Sequence, residues 1–126
     1  MKPVLDASAL LAYLRQEPGW EEVHAVIGES CIGAVNWCEV AQKAQQKGMV
    51  VATVRNLLVE LGMEITPFSS GQAELAAQLW EKTRQHGLSL ADRACLALAL
   101  DQNAPLLTAD RVWAELDVAI EIRLVR

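Results

Sequence analysis

Cysteine, histidine and positive charge are scarce in this sequence, and it has no long unbroken apolar run. The three cysteines, Cys31, Cys38 and Cys95, are odd in number and lack C-x-x-C spacing, which excludes a disulfide framework and a zinc knuckle. They are expected to be small core residues of a protein in a reducing, cytoplasmic compartment. His24 and His86 lie far apart with no second metal-type neighbour at helical spacing, so surface or helix-end positions are expected for both. Asp92, Arg93 and Asp101 punctuate the richest apolar segment, so no run of about 18 apolar residues forms and no membrane-spanning helix is expected. Asp6 and Arg15 interrupt the apolar amino terminus, no small-residue cleavage site follows, and no signal peptide is expected. Eleven Lys and Arg against sixteen Asp and Glu leave a net charge of -5, the wrong sign for a protein that coats duplex DNA electrostatically. A nuclease stays open, because a pocket crowded with carboxylates takes up divalent cations that themselves meet phosphate.

What is present is apolar and regularly punctuated. The length suits one domain, residues 1–126, around one core. An apolar share of 52% lies slightly above the globular norm and hints at surface covered by a partner subunit. Lys2 to Leu5 is a short apolar strand, and Asp6-Ala7-Ser8 opens a helix from Ala9 to Arg15 that Pro18-Gly19 closes. Trp20 to Ile27 suits a second short helix, Ser30 to Val35 a strand, and Asn36 to Gln46 a helix stopped by Gly48. Between Met49 and Leu61, the spacing of Val51, Val54, Leu58 and Leu61 puts all four on one buried helix face.

Glu64-Ile65-Thr66 is a further short strand, and Ser70 to His86 reads as one long helix with Gly87 as its cap. Ser89 opens a helix reaching about Gln102, Pro105 to Leu107 is a buried strand, and a short helix covers Arg111 to Leu116. Ile120, Ile122 and Leu124 alternate with polar residues across Val118 to Val125, as in an edge strand. Strands separated by helices indicate an α/β fold with a mostly parallel sheet of four to five strands, covered on both faces. Ligands in such sheets bind beyond the carboxyl ends of the strands.

Four acids, Asp6, Glu39, Asp92 and Asp110, follow strand candidates or fall in first helical turns. Singly, each has a structural explanation. Asp6 and Asp110 suit N-caps, while Asn36-x-x-Glu39 and Ser89-x-x-Asp92 have capping-box spacing. Together they change the weighting, because strands ending at one sheet edge would gather the acids there. Crowded carboxylates raise one another's pKa unless a cation neutralises them, and oxygen-only ligands select Mg²⁺ or Mn²⁺ over zinc.

Four segments carry a resemblance: Val4-Leu5-Asp6-Ala7-Ser8-Ala9-Leu10, Val35-Asn36-Trp37-Cys38-Glu39-Val40, Leu88-Ser89-Leu90-Ala91-Asp92 and Leu107-Thr108-Ala109-Asp110-Arg111. In order and spacing they resemble the blocks of PIN-domain ribonucleases, and the chain's small size resembles VapC, the toxin of a type II toxin-antitoxin pair. The resemblance implies a PIN-like three-layer α/β/α sandwich and a metal-dependent endoribonuclease. It further implies that Asp6, Glu39, Asp92 and Asp110 hold Mg²⁺ or Mn²⁺, Asp110 standing where the family's acid varies most. Ser8 and Thr108 bring hydroxyls close to these acids and would orient a carboxylate or a water, with helix capping an equal explanation. The implied partners are an RNA substrate, a small VapB-like antitoxin and a second copy of the chain.

Basic residues near these segments are few. Arg15, Lys43, Lys47 and Arg84 are candidates for RNA contact, as are Arg93 and Arg111 for phosphate, although solvated helix positions are the commoner fate. Trp20, Trp37, Trp80 and Trp113 could stack bases, but core or dimer-interface packing is the preferred reading. The helix faces Ala9 to Leu14 and Met49 to Leu61 are docking surfaces for an amphipathic partner segment, or ordinary core. Two other classes compete. A catalytically inert PIN-like interaction module would use the acids only as caps. A receiver-like phosphoacceptor domain would need paired acids after its first strand and a late lysine, where this chain has Asp6 and Arg111.

Overall fold

Successive residues in a strand face opposite sides of the sheet, and that period of two explains the paired apolar residues in each short strand. The computed structural model describes residues 2–126. Leu5, Ile32 and Leu107 join one hydrophobic cluster, while their predecessors in the chain, Val4, Cys31 and Leu106, join a second one. The five strands, β1 (Val4–Leu5), β2 (Cys31–Gly33), β3 (Glu64–Thr66), β4 (Leu106–Thr108) and β5 (Ile122–Leu124), form one sheet in the order β3-β2-β1-β4-β5. Every pairing is parallel, so "mostly parallel" becomes wholly parallel. The 2-1-3-4-5 order of receiver-like folds is not the one found.

The first cluster carries α1 (Ala7–Arg15), α2 (Trp20–His24), α3 (Ala34–Gln46) and α4 (Val51–Glu60). On the second lie α5 (Ser70–Gln78), α7 (Leu90–Gln102) and the buried Trp113, with α6 (Trp80–Thr83) following α5. This is an α/β/α sandwich. Ala94 through Ala99 are buried on every side of α7, which explains its lack of amphipathic pattern. The chain adds β2 and β3 on one side of β1, then returns to add β4 and β5 on the other. The reversal leaves a crevice above the carboxyl ends of β1 and β4.

Several expectations need correction. The helix expected from Asn36 begins at Ala34, because the β2–β3 ladder ends at the Gly33–Thr66 pair and the chain beyond it has no strand partner. Asn36 is therefore not a cap but a buried residue inside α3. The long helix from Ser70 to His86 breaks at Leu79. Arg93 Nη1 donates to the Ala76 carbonyl (2.9 Å), the acceptor a continuous helix would offer to the Trp80 amide, and a side chain entering the ladder kinks it. Arg93 is thus neither solvated nor placed for phosphate, whereas Arg111 is exposed.

The stretch expected as helix to Ile27 ends at His24, followed by a 3₁₀ turn at Ile27–Glu29, and another 3₁₀ turn replaces the last short helix. On α4 only Val54 and Leu58 are buried; Leu61 lies beyond its end and is exposed. Cys31 and Cys95 are core residues, but Cys38 is exposed, because α3 turns that position away from the sheet. Trp113 is buried, Trp20 and Trp37 are half-buried, and Trp80 is exposed under the Arg84 guanidinium. His24 is at a helix end and exposed, and His86 lies in a 3₁₀ turn. No helix among the described residues is long and apolar enough to cross a membrane.

Candidate active site

Asp6 stands where β1 turns into α1. Its backbone is extended, its Oδ1 accepts the Ala9 amide (2.8 Å), and it caps the helix as the sequence suggests. Two hydroxyls hold the same carboxylate: Ser8 Oγ donates to Oδ1 (2.7 Å) and Thr108 Oγ1 to Oδ2 (2.6 Å). These hydroxyls also tie the neighbouring segment down, since the Ala109 amide donates to Ser8 Oγ (2.9 Å) and the Asp110 amide to Thr108 Oγ1 (3.0 Å). Ser8 and Thr108 thus each donate to the Asp6 carboxylate and accept a backbone amide. A carboxylate oxygen accepts about two hydrogen bonds, so Oδ2 keeps one lone pair for a further partner.

The other acids arrive from separate elements. Asp92 sits in the first turn of α7 and completes a capping box, its Oδ2 accepting the Ser89 amide (2.9 Å) while Ser89 Oγ accepts the Asp92 amide (3.1 Å). Asp110 caps the following 3₁₀ turn through Oδ1 and the Val112 amide (3.1 Å). Glu39 caps nothing; it projects from the second turn of α3, and the expected capping box with Asn36 does not form. Asn36 instead spans two elements, donating to the Ala91 carbonyl just before Asp92 (3.2 Å) and, more weakly, to Glu39 Oε1 (3.5 Å). Sequence reasoning missed this bridge: the spacing of Asn36 and Glu39 signals only their local contact, and the Ala91 carbonyl lies 55 residues further along the chain.

Asp6, Glu39, Asp92 and Asp110 all line one cleft of about 160 Å³, together with Ser8, Leu11 and Lys43. Capping and clustering are thus not alternatives: three of the acids cap and still face the cleft. Burial, helped by the nearby charge of Asp92, pushes the Asp6 carboxyl up to about 6 against the pull of its three hydrogen bonds. Burial and Asp92 also raise the Glu39 pKa, opposed by Asn36 and by Lys43 one turn further along α3. The donor set is oxygen-only, which suits a hard divalent cation in kind. Among the described residues, no three His, Cys, Asp or Glu side chains come together tightly enough to enclose one.

No curated protein matches the sequence. Solved structures do match in fold. One is a toxin-antitoxin complex from Klebsiella pneumoniae, with 21% identity over 86% of this chain and 87% of that one and a TM-score of 0.71. VapBC2 from Rickettsia felis, bound to a DNA fragment from its promoter, shares 15% identity over 97% of each chain with a TM-score of 0.74. DNA-bound VapBC from Salmonella typhimurium shares 18% identity over 100% and 99% with a TM-score of 0.70. The sequence profile of the PIN domain matches residues 4–119, from the first strand to beyond Asp110, the last of the four cleft acids, and the chain belongs to the PIN domain family.

Proposed function

We propose that the chain, acting as a single domain over residues 1–126, is a Mg²⁺- or Mn²⁺-dependent endoribonuclease and the toxin of a VapBC-type pair. The observation that carries this reading is the convergence of Asp6, Glu39, Asp92 and Asp110, from four separate segments, on one cleft at the sheet's reversal point. Family membership supports the nuclease class. Asp6, Asp92 and Asp110 would be the fixed ligands, because backbone amides, and for Asp6 two hydroxyls, hold them in place, and Glu39, which caps nothing, the adjustable one. The cation, once bound, would acidify a water and polarise the scissile phosphate, so no protein nucleophile is required. Ser8 and Thr108 keep the Asp6 oxygens aimed, and Asn36 holds the start of α7 against α3.

The similar structures are toxin-antitoxin complexes, which supports a small antitoxin as partner. Met49, Val50, Leu57, Val59 and Leu61 leave α4 and its flanks unusually apolar for surface, the kind of face an amphipathic antitoxin segment would cover. A homodimer and a cytoplasmic location complete the proposal. Its test is cleavage of total cellular RNA by purified protein with Mg²⁺ or Mn²⁺, with EDTA, and with Asp92→Asn. Metal-dependent cleavage absent from the variant supports the reading. No cleavage of any RNA, with no metal uptake by calorimetry, leaves the acids as caps and favours an interaction module.

A further inference from the structure

Leu11 and Lys43 line not only the acidic cleft but also a larger groove beside it, of about 440 Å³, between α1, α3 and the corner that leads to α4. The two cavities therefore adjoin. Sequence reading left the basic residues scattered; the fold brings Arg15, Lys43 and Lys47 to the lining of this groove, together with Leu14, Val40 and Met49. Glu17 is the lone acid there, and it is already paired with Arg15 (4.0 Å) and Arg126 (3.3 Å). Lys43 joins none of the ion pairs among the described residues, and neither does Lys47.

Resting on the ribonuclease reading, we propose that this groove is the track of the single-stranded RNA substrate. Lys43 holds the phosphate nearest the acidic cleft, and Lys47 and Arg15 hold phosphates beyond it. Glu39 and Lys43 lie four residues apart on α3, about 6 Å along its axis, and Lys47 caps its carboxyl end, so the helix leads from a carboxylate in the cleft to two cations in the groove. That gradient suits a strand whose scissile phosphate lies over the acids while its neighbours meet the cations. The cations also stand toward the carboxyl end of α3, where the helix dipole favours positive charge without consuming it in an ion pair. The apolar part of the lining offers contact to ribose and base edges with few hydrogen-bonding groups, so it tolerates many sequences. The excess of positive charge favours a polyanion here over an apolar peptide.

The test is fluorescence anisotropy of a labelled single-stranded RNA oligonucleotide with the full chain carrying Asp92→Asn, titrated with KCl in the presence of Mg²⁺. Each of Lys43→Gln, Lys47→Gln and Arg15→Gln is expected to flatten the plot of log affinity against log salt by about 0.7, and the triple variant by about 2. Arg84→Gln, which alters a cation stacked on Trp80 away from the groove, should leave the slope unchanged. Circular dichroism melts confirm that the variants fold. If the parent binds RNA and the triple variant binds it with the parental slope, the track is wrong while the nuclease reading stands. A triple variant that keeps RNA affinity but loses affinity for an acidic amphipathic peptide likewise overturns it in favour of a protein occupant. A parent that binds no RNA overturns both.

Discussion

The acidic cleft and the groove beside it share Leu11 and Lys43, yet they are built in opposite ways. In the cleft, Asp6, Asp92 and Asp110 are held by backbone amides at the starts of helical turns, and Asp6 by two further hydroxyls. In the groove, Lys43 and Lys47 are exposed and carry no ion pair among the described residues. A site that must position a small cation gains from fixed ligands, while one that must follow a flexible polyanion gains from mobile charge. The cleft should therefore be sensitive to isosteric change, and the groove insensitive in everything except binding.

The largest expected effect is on the cleft. Asp92→Asn can still accept the Ser89 amide, so the fold should survive while RNA cleavage falls by about 100-fold or more; near-parental turnover in a single-turnover assay would break the contrast at its strongest point. Asp6→Asn should stabilise the metal-free protein at pH 7.5 by something on the order of 3 kcal/mol, a raised pKa being a stability statement. The sign follows from burial. Asp6 has a folded pKa of about 6 against an ordinary value of 3.8, so the unfolded chain releases its proton first, and wild-type stability falls as pH rises from about 3.8 to about 6. Urea unfolding across that range should show the fall in wild type and a smaller one, left by the raised Glu39 carboxyl, in Asp6→Asn. A destabilised Asp6→Asn at pH 7.5 would mean that the hydrogen bonds outweigh the desolvation.

Thr108→Val keeps the shape but removes the donor to Asp6 and the acceptor for the Asp110 amide, and should lower stability by about 1 to 3 kcal/mol. The same change should push the Asp6 carboxyl further up, moving the end of the pH-dependent fall above pH 6, since the Thr108 hydrogen bond lowers that pKa. Ser89→Ala removes one half of the capping box on α7 and should cost about 1 kcal/mol, read from the same unfolding curves. At the small end, Lys47→Gln in the groove should change stability by no more than about 0.5 kcal/mol. A larger loss there would show that the groove is built like the cleft after all.

Much of the cleft was legible because its acids obey local rules. Asp6 before Ala7, and Ser89 three residues before Asp92, mark helix starts by capping chemistry that operates within one turn. Glu39 was legible as one of a set of four acids, but the capping box with Asn36 offered as its structural alternative does not form, because α3 begins two residues earlier. That onset depends on where the β2–β3 ladder stops, a pairing between residues about thirty positions apart. The break at Leu79 was likewise invisible, because the group that opens the helix there is Arg93, on another helix. The groove was harder still, as Arg15, Lys43 and Met49 come from three segments with no shared motif.

The sequence by itself determined the alternation of strands and helices, the parallel sheet covered on both faces, and the identity of the acids at its strand ends. Those features rest on periodicity and capping, which act over a few residues. Only the tertiary structure decided that the four acids share one cleft, that burial raises Asp6, and that the few cations gather beside it. Each of these depends on distance through space: the strand order brings Thr108 to within 2.6 Å of Asp6 across a hundred residues of chain, and charges interact by separation and burial, to which position in the chain is blind.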